Sequence, residues 1–108
     1  MSKYMIQVTP TPQNVAALLK NPEDRTDAVR RVIEAVGGKL EQYYNSMAGG
    51  VTFLIAEVPD EKSLGAVMAA FYSGGGLTSA QDTPIMTAFE SVEVFKRAAS
   101  MVYRPPGK

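Results

Sequence analysis

Two adjacent tyrosines, an isolated aspartate and a glycine pair are the residues of this chain best equipped to touch a ligand. Tyr43 and Tyr44 stand side by side in the segment Lys39 to Asn45, where Leu40, Tyr43 and Tyr44 suit the pleated surface of a strand. Neighbouring side chains of a strand point to opposite faces, so one phenol belongs to the core and the other to a cleft or an interface. A phenol in a cleft can donate a hydrogen bond or act as the acid of a cofactor-free reaction. Packed with its hydroxyl at the rim it is structural, which is the simpler reading. Asp82, in the polar run Thr78 to Thr83, is the best isolated carboxylate near the sheet, and a turn or solvated position is its plainer role. Gly49 and Gly50 lie between two strands, where glycine allows positive φ in a hairpin loop and lets backbone come close to a guest. Glu57 shares its strand face with Val51, Phe53 and Ile55, and the sequence shows no partner for it.

The residue types that are missing narrow the chemistry further. The chain has no histidine and no cysteine. Disulfides, thiolate nucleophiles, a zinc site of nitrogen and sulfur ligands and a Ser-His-Asp triad are all excluded. No metal site and no cofactor are expected. Eleven basic and eleven acidic side chains cancel, so no net field draws the chain to nucleic acid or to anionic lipid. Arg25, Arg30 and Arg31 sit among acids and read as a solvated helix face. Gly74-Gly75-Gly76 follows a helical pattern, whereas a phosphate cradle opens a helix, so it reads as a helix stop. Apolar residues at 45% and charged residues at 20% make an ordinary globular balance,. No basic region precedes a long apolar run, and no apolar stretch nears the roughly 20 residues of a membrane helix. A cytoplasmic location without membrane or nucleic-acid partners is expected.

The elements that must hold these residues follow from periodicity. Tyr4 to Thr9 alternates, with Tyr4, Ile6 and Val8 on one face, and reads as a first strand. Thr11 caps a short helix with Pro12 at its first position, burying Val15, Leu18 and Leu19. Asn21-Pro22 breaks or kinks it. Val29, Val32, Ile33 and Val36 form the stripe of an amphipathic helix, stopped by Gly37-Gly38. The second strand, Lys39 to Asn45, precedes the loop Ser46 to Gly50. Val51 to Val58 is largely apolar on both faces and is expected to be covered on both. Asp60 caps a helix that buries Leu64, Val67, Met68 and Phe71, ended by the three glycines. The last strand falls within Leu77 to Phe89 and is placed at Ile85 to Phe89, because Pro84 cannot donate to a ladder. Ser91 then caps a final helix burying Val92, Phe95 and Ala99. Met47, Met68 and Met86 read as gap-fillers.

This order is α+β: a ferredoxin-like β-α-β-β-α-β arrangement with an extra C-terminal helix. One domain over residues 1–103 and a loose tail over 104–108 are expected. Two helices cover only one face of a four-stranded sheet. A second copy covering the other face gives a symmetric dimer; a C-terminal helix folded back over it would give a monomer.

Between Tyr4 and Phe95 the chain resembles the GYD-domain family of small bacterial proteins, of the dimeric α+β barrel type. The residues that carry the resemblance are Lys3-Tyr4, Asp24-Arg25, Ala28-Val29-Arg30, Gly37-Gly38-Lys39-Leu40 and Tyr43-Tyr44. Val58-Pro59-Asp60-Glu61, Thr87-Ala88-Phe89 and Val92-Glu93-Val94-Phe95 extend it. The Gly-Tyr-Asp signature at the turn into the third strand is replaced here by Ala48-Gly49-Gly50-Val51-Thr52, so the work of its tyrosine and aspartate is not carried over. The resemblance implies a homodimeric barrel but no particular activity. The reading with most support is a homo-oligomeric small-molecule-binding or regulatory module without catalysis, using Tyr43, Tyr44, Gly49, Gly50 and Asp82. A cofactor-free monooxygenase- or isomerase-like enzyme and a scaffold or assembly subunit are the alternatives.

Overall fold

The chain folds as β1 (Ser2–Pro10), α1 (Pro12–Lys20), α2 (Thr26–Ala35), β2 (Lys39–Ser46), β3 (Val51–Val58), α3 (Glu61–Ser73), β4 (Leu77–Ile85) and α4 (Ala88–Ala99). This is a computed structural model, and it describes residues 1–107 of the 108. The strands form one antiparallel sheet in the order β2-β3-β1-β4, the ferredoxin-like order. Of the expected tail, residues 104–107 carry no helix or strand, and Lys108 lies outside the described residues.

Register explains where the core lies. Ile6 pairs with Leu54, Tyr4 with Ala56 and Val8 with Thr52, which puts the apolar alternates of the two central strands on one face. Ile33 of α2 and Leu64, Val67 and Met68 of α3 close over Ile6, Val8, Leu54, Ala56 and Val58. The stripes on these two helices find the cover that the sequence predicts. Gly38 lets the chain turn from α2 into β2 at close quarters: a Cβ there would lie 2.5 Å from the Glu57 carbonyl oxygen. Gly37, at φ +81°, supplies the left-handed residue after the helix,.

A bulge between Leu40 and Gln42 settles the two tyrosines. It puts one extra residue into β2, so Leu40 pairs with Ala56 and Tyr43 with Leu54, both on the core face, while Gln42 and Tyr44 pair with Ile55 and Phe53 on the other. The bulged Glu41 meets Lys3, whose ammonium is 3.0 Å from Glu41 and 3.8 Å from Glu57. Glu57 therefore does have a partner.

Four expectations are corrected. First, α1 buries nothing: Val15 is exposed and Leu19 is 78% exposed. The helix is held at its start, where the Thr11 N–H donates to the Gly76 carbonyl at 2.8 Å and the Asn14 amide to the same oxygen at 3.4 Å. Second, the last strand is Leu77–Ile85 and not Ile85 to Phe89. It is an edge strand, where Pro84 costs no ladder bond. Third, the cap of α4 is Thr87 and not Ser91: Thr87 Oγ1 accepts the Glu90 N–H at 3.0 Å, and the Glu90 carboxylate accepts the Thr87 N–H at 3.1 Å, a reciprocal capping box,. Fourth, α4 buries none of Val92, Phe95 and Ala99. It does not fold back over the sheet, and Phe89 and Phe95 stand 87% and 68% exposed. Of the three methionines, Met68 fills the core, while Met47 and Met86 are exposed.

Candidate functional site

The failure of α1 to pack closely opens a groove of about 1000 Å³ on the helix side of the sheet. Its floor comes from alternate residues of the strands, with Val8, Tyr43 and Leu54 among them. One wall is α1, through Val15 and Leu18; the facing wall is the segment that leads into α2, with Asp24, Arg25 and Val29, and Phe71 of α3 closes the end. Length explains the gap: α1 has nine residues and stops at Lys20, because Pro22 cannot continue the helix,. The five residues that follow, up to Arg25, are all exposed, and four of them line the groove.

The polar groups of the groove divide into committed and free. The Asp24 carboxylate accepts from the Thr26 N–H at 2.9 Å and from its hydroxyl at 2.5 Å. These bonds hold the acid below the usual carboxylate range,. The Asn45 side-chain oxygen accepts from the Thr52 hydroxyl at 2.7 Å across the strands. Arg25 pairs with Glu23 at 2.7 Å in an exposed position. Tyr43 is half-buried, and burial pushes its phenol above the ordinary tyrosine value, with Arg25 opposing the rise and Asp24 adding to it,. At neutral pH Tyr43 therefore stays protonated, as a hydrogen-bond donor in a largely apolar trough. Among the described residues no three carboxylates come together as a metal site would need.

The residues expected from the sequence fall in different places. Tyr43 and Gly50 line the groove. Gly50 sits at φ +67° in the β2–β3 hairpin, a conformation that suits glycine. Gly49 caps the same loop, its N–H donating to Ser46 Oγ at 3.1 Å, and is not part of the lining. Tyr44 is on the opposite face, 60% exposed, with its hydroxyl donating to Gln42 at 2.9 Å. Asp82 lies in the middle of edge strand β4, opposite Ile6 and exposed, in neither a turn nor the groove. Sequence reasoning missed Asn14, Arg25, Val29 and Phe71 as lining residues. The helical stripes account for Val29 and Phe71 and a solvated face for Arg25, Asn14 carries no local signal, and nothing local says that α1 will stand away.

The second face of the sheet carries Val51, Phe53 and Ile55 beside Tyr44, and Met5 beside Ile55, with no element of the chain laid over them. No helix is long and apolar enough to cross a membrane among the described residues.

Comparison with known proteins agrees with this architecture. The family model described as the GYD domain matches residues 4–96. Among solved structures, an uncharacterised NIPSNAP domain protein from Burkholderia xenovorans is similar at 14% identity and TM-score 0.51, over 82% of this chain and 95% of that one. The 30S ribosomal protein S6 from Thermotoga maritima is similar at 15% identity and TM-score 0.55, over 93% of this chain and 98% of that one. At such identities the likeness is one of fold alone. A search of curated proteins finds no match.

Proposed function

The chain belongs to the GYD-domain family, and from that premise we propose that it is a homodimeric module that binds a small amphipathic molecule without transforming it. The observation that carries this reading is the groove: about 1000 Å³, within the size range of ligand sites and with the mixed lining such sites have. Val8, Val15, Leu18, Val29, Leu54 and Phe71 offer an apolar trough. The neutral Tyr43 hydroxyl and the guanidinium N–H groups of Arg25 that Glu23 leaves free can donate to the same head group. A ligand with a hydrocarbon body and a carboxylate or carbonyl end fits that chemistry. Binding is favoured over catalysis because Asp24 is already committed to Thr26, and catalysis would want a free acid or base beside the phenol. The dimeric half of the proposal is supported by the open apolar face of the sheet, which water solvates poorly.

Dodecanoic acid is a suitable probe. Its addition is expected to raise the melting temperature of the protein, and Leu18→Trp, which fills the trough from α1, is expected to abolish the rise while leaving the ligand-free melt near its original value. Tyr43→Phe should weaken binding about fivefold, by loss of one hydrogen bond. A rise that persists undiminished in Leu18→Trp would place the ligand elsewhere. No rise, with no small molecule retained by the purified protein in native mass spectrometry, would overturn the reading.

A further inference from the structure

The C-terminal helix is the least explained part of the molecule. It is well formed, doubly capped at Thr87 and Glu90, and yet it buries nothing. It contributes to an elongated shape, 59 × 34 × 23 Å with a radius of gyration of 17.5 Å, against about 13 Å for a compact chain of this length. A helical wheel at 100° per residue puts Phe89, Val92, Phe95 and Ala99 within one apolar stripe, with Glu93 at its edge beside Phe89 and Glu90, Arg97 and Val94 on the far side. Arg97 and Glu93 pair at 3.6 Å along the border of the stripe. Lys96 flanks the stripe itself, next to Phe89, and has no ion-pair partner among the described residues.

The open sheet face is divided in a matching way. Its β4 side is polar at Ser79, Gln81 and Thr83, whereas its β2–β3 side carries Tyr44, Val51, Phe53 and Ile55. At the end of that apolar half stand Glu41 and Glu57, which share the ammonium of Lys3, with Lys39 the cross-strand neighbour of Glu57. The distances agree as well. Phe89 to Lys96 spans seven residues of helix, about 10 Å; Phe53 to Glu57 spans four residues of strand, about 13 Å. Both complementary surfaces lie on one chain, and they do not meet there. α4 leaves from β4, the edge opposite the apolar half, on a link of two residues, Met86 and Thr87, whose capping box fixes the helix start.

We propose, resting on the homodimer reading above, that α4 is an exchanged element: each copy seats its Phe89–Val92–Phe95 stripe on the β2–β3 half of the other copy's open sheet face, with Lys96 reaching the carboxylates at its end. Pattern supports a second copy as the occupant. Every copy carries both the apolar stripe and the apolar half of the sheet, matched in length, and α4 buries nothing within its own chain. A two-fold axis then makes the exchange twice, once for each copy.

Because the chain has no cysteine, engineered thiols report without background. The test is the double variant Val92→Cys with Ile55→Cys, oxidised under native conditions and run on a denaturing gel without reductant, beside light scattering of the unaltered protein. A scattering mass of two chains and a covalent band of two chains are expected, with Lys96→Glu raising the dimer dissociation constant roughly fivefold, the upper range for an exposed pair. A dimer by scattering without the covalent band, in this pair and in Phe89→Cys with Gln42→Cys, would overturn the exchange and leave the dimer reading standing. A monomer by scattering would overturn both. A disulfide closed within one chain would show the helix lying on its own sheet and would also overturn the exchange.

Discussion

Helices α3 and α4 are built almost alike. They have 13 and 12 residues, and each follows a strand after a two-residue link. Each is started by a side-chain cap, Asp60 accepting the Ser63 N–H at 2.8 Å and Thr87 accepting the Glu90 N–H at 3.0 Å. Each carries an apolar stripe. Yet Leu64, Val67 and Met68 of α3 are buried, while Phe89, Val92 and Phe95 of α4 are exposed. Capping and periodicity decide that a helix forms. They do not decide what covers it. For α3 the β3–α3 link turns the stripe onto the strands just completed, whereas the β4–α4 link, at the edge of the sheet, carries α4 away from its own chain.

The largest effect that would break this contrast is a pair of truncations. Leu64→Ala removes a buried side chain and is expected to cost about 2–5 kcal/mol, seen as a lower urea midpoint at every protein concentration. Phe95→Ala should cost the folded single chain under about 0.5 kcal/mol, as an exposed surface change does. In the proposed dimer, however, Phe95→Ala should weaken association and steepen the concentration dependence of melting at dilute protein. If Phe95→Ala lowered the midpoint of a demonstrably monomeric sample as much as Leu64→Ala does, α4 would be packed within its own chain and the contrast would be false.

A smaller effect tests the start of α4 alone. Thr87→Ala removes half of the capping box and should cost the helix about 1 kcal/mol. Because α4 lies outside the core, the expected loss is helical signal and faster amide exchange confined to residues 88–92, with the exchange of β3 unchanged. Protection lost across the whole sheet would mean that α4 supports the core after all.

How much of this was legible in the residues varies element by element. β3 stands at Val51–Val58 as its largely apolar faces predict, and the caps Thr11 and Asp60 stand where a hydroxyl or carboxylate precedes a helical stripe. The edge strand β4 was misplaced because neither of its faces is deeply buried: Thr78 to Thr83 shows no apolar alternation, and proline inside an edge strand removes no bond. The Thr87-x-x-Glu90 signature was present, but Thr87-Ala88-Phe89 also fits a strand, and a dipeptide link cannot arbitrate. The bulge at Glu41 left a trace in the odd spacing of Leu40 and Tyr43, three apart on one face, where a regular strand allows two or four. The groove left none. It exists because α1, despite Val15, Leu18 and Leu19, is tethered at Gly76 and stops before it can cover the sheet, and such a gap belongs to the geometry of the connection.

The smallest and most discriminating effect is pH dependence, again one helix against the other. Asp60 and Glu90 both have carboxyl pKa values held below their ordinary ones by hydrogen bonds, from Ser63 to Asp60 and from Thr87 to Glu90. A carboxylate with a depressed folded value stabilises the fold above its unfolded value, and that contribution is lost as pH falls through the unfolded value, ordinarily 3.8 for the aspartate and 4.5 for the glutamate, toward the folded one,. Both caps therefore lose strength on acidification, but they are coupled to different things. Asp60 starts a helix whose stripe is the core, so Asp60→Asn should flatten the acid limb of global unfolding followed by sheet or core signals. Glu90 starts a helix that the core does not touch, with the Lys3 ammonium of β1 adding a smaller pull on its carboxylate, so Glu90→Gln should leave most of that limb in place and flatten chiefly the acid-dependent loss of helix in α4. Lys3, whose ammonium is stabilised first by its hydrogen bond to Glu41, acts at the other end of the scale. Its raised value gives a contribution present below the ordinary lysine value and lost as pH rises through the folded one. If Glu90→Gln and Asp60→Asn flattened the same global transition equally in the monomer, the two helices would share one cooperative unit, and the division between a core helix and an exported one would have to be given up.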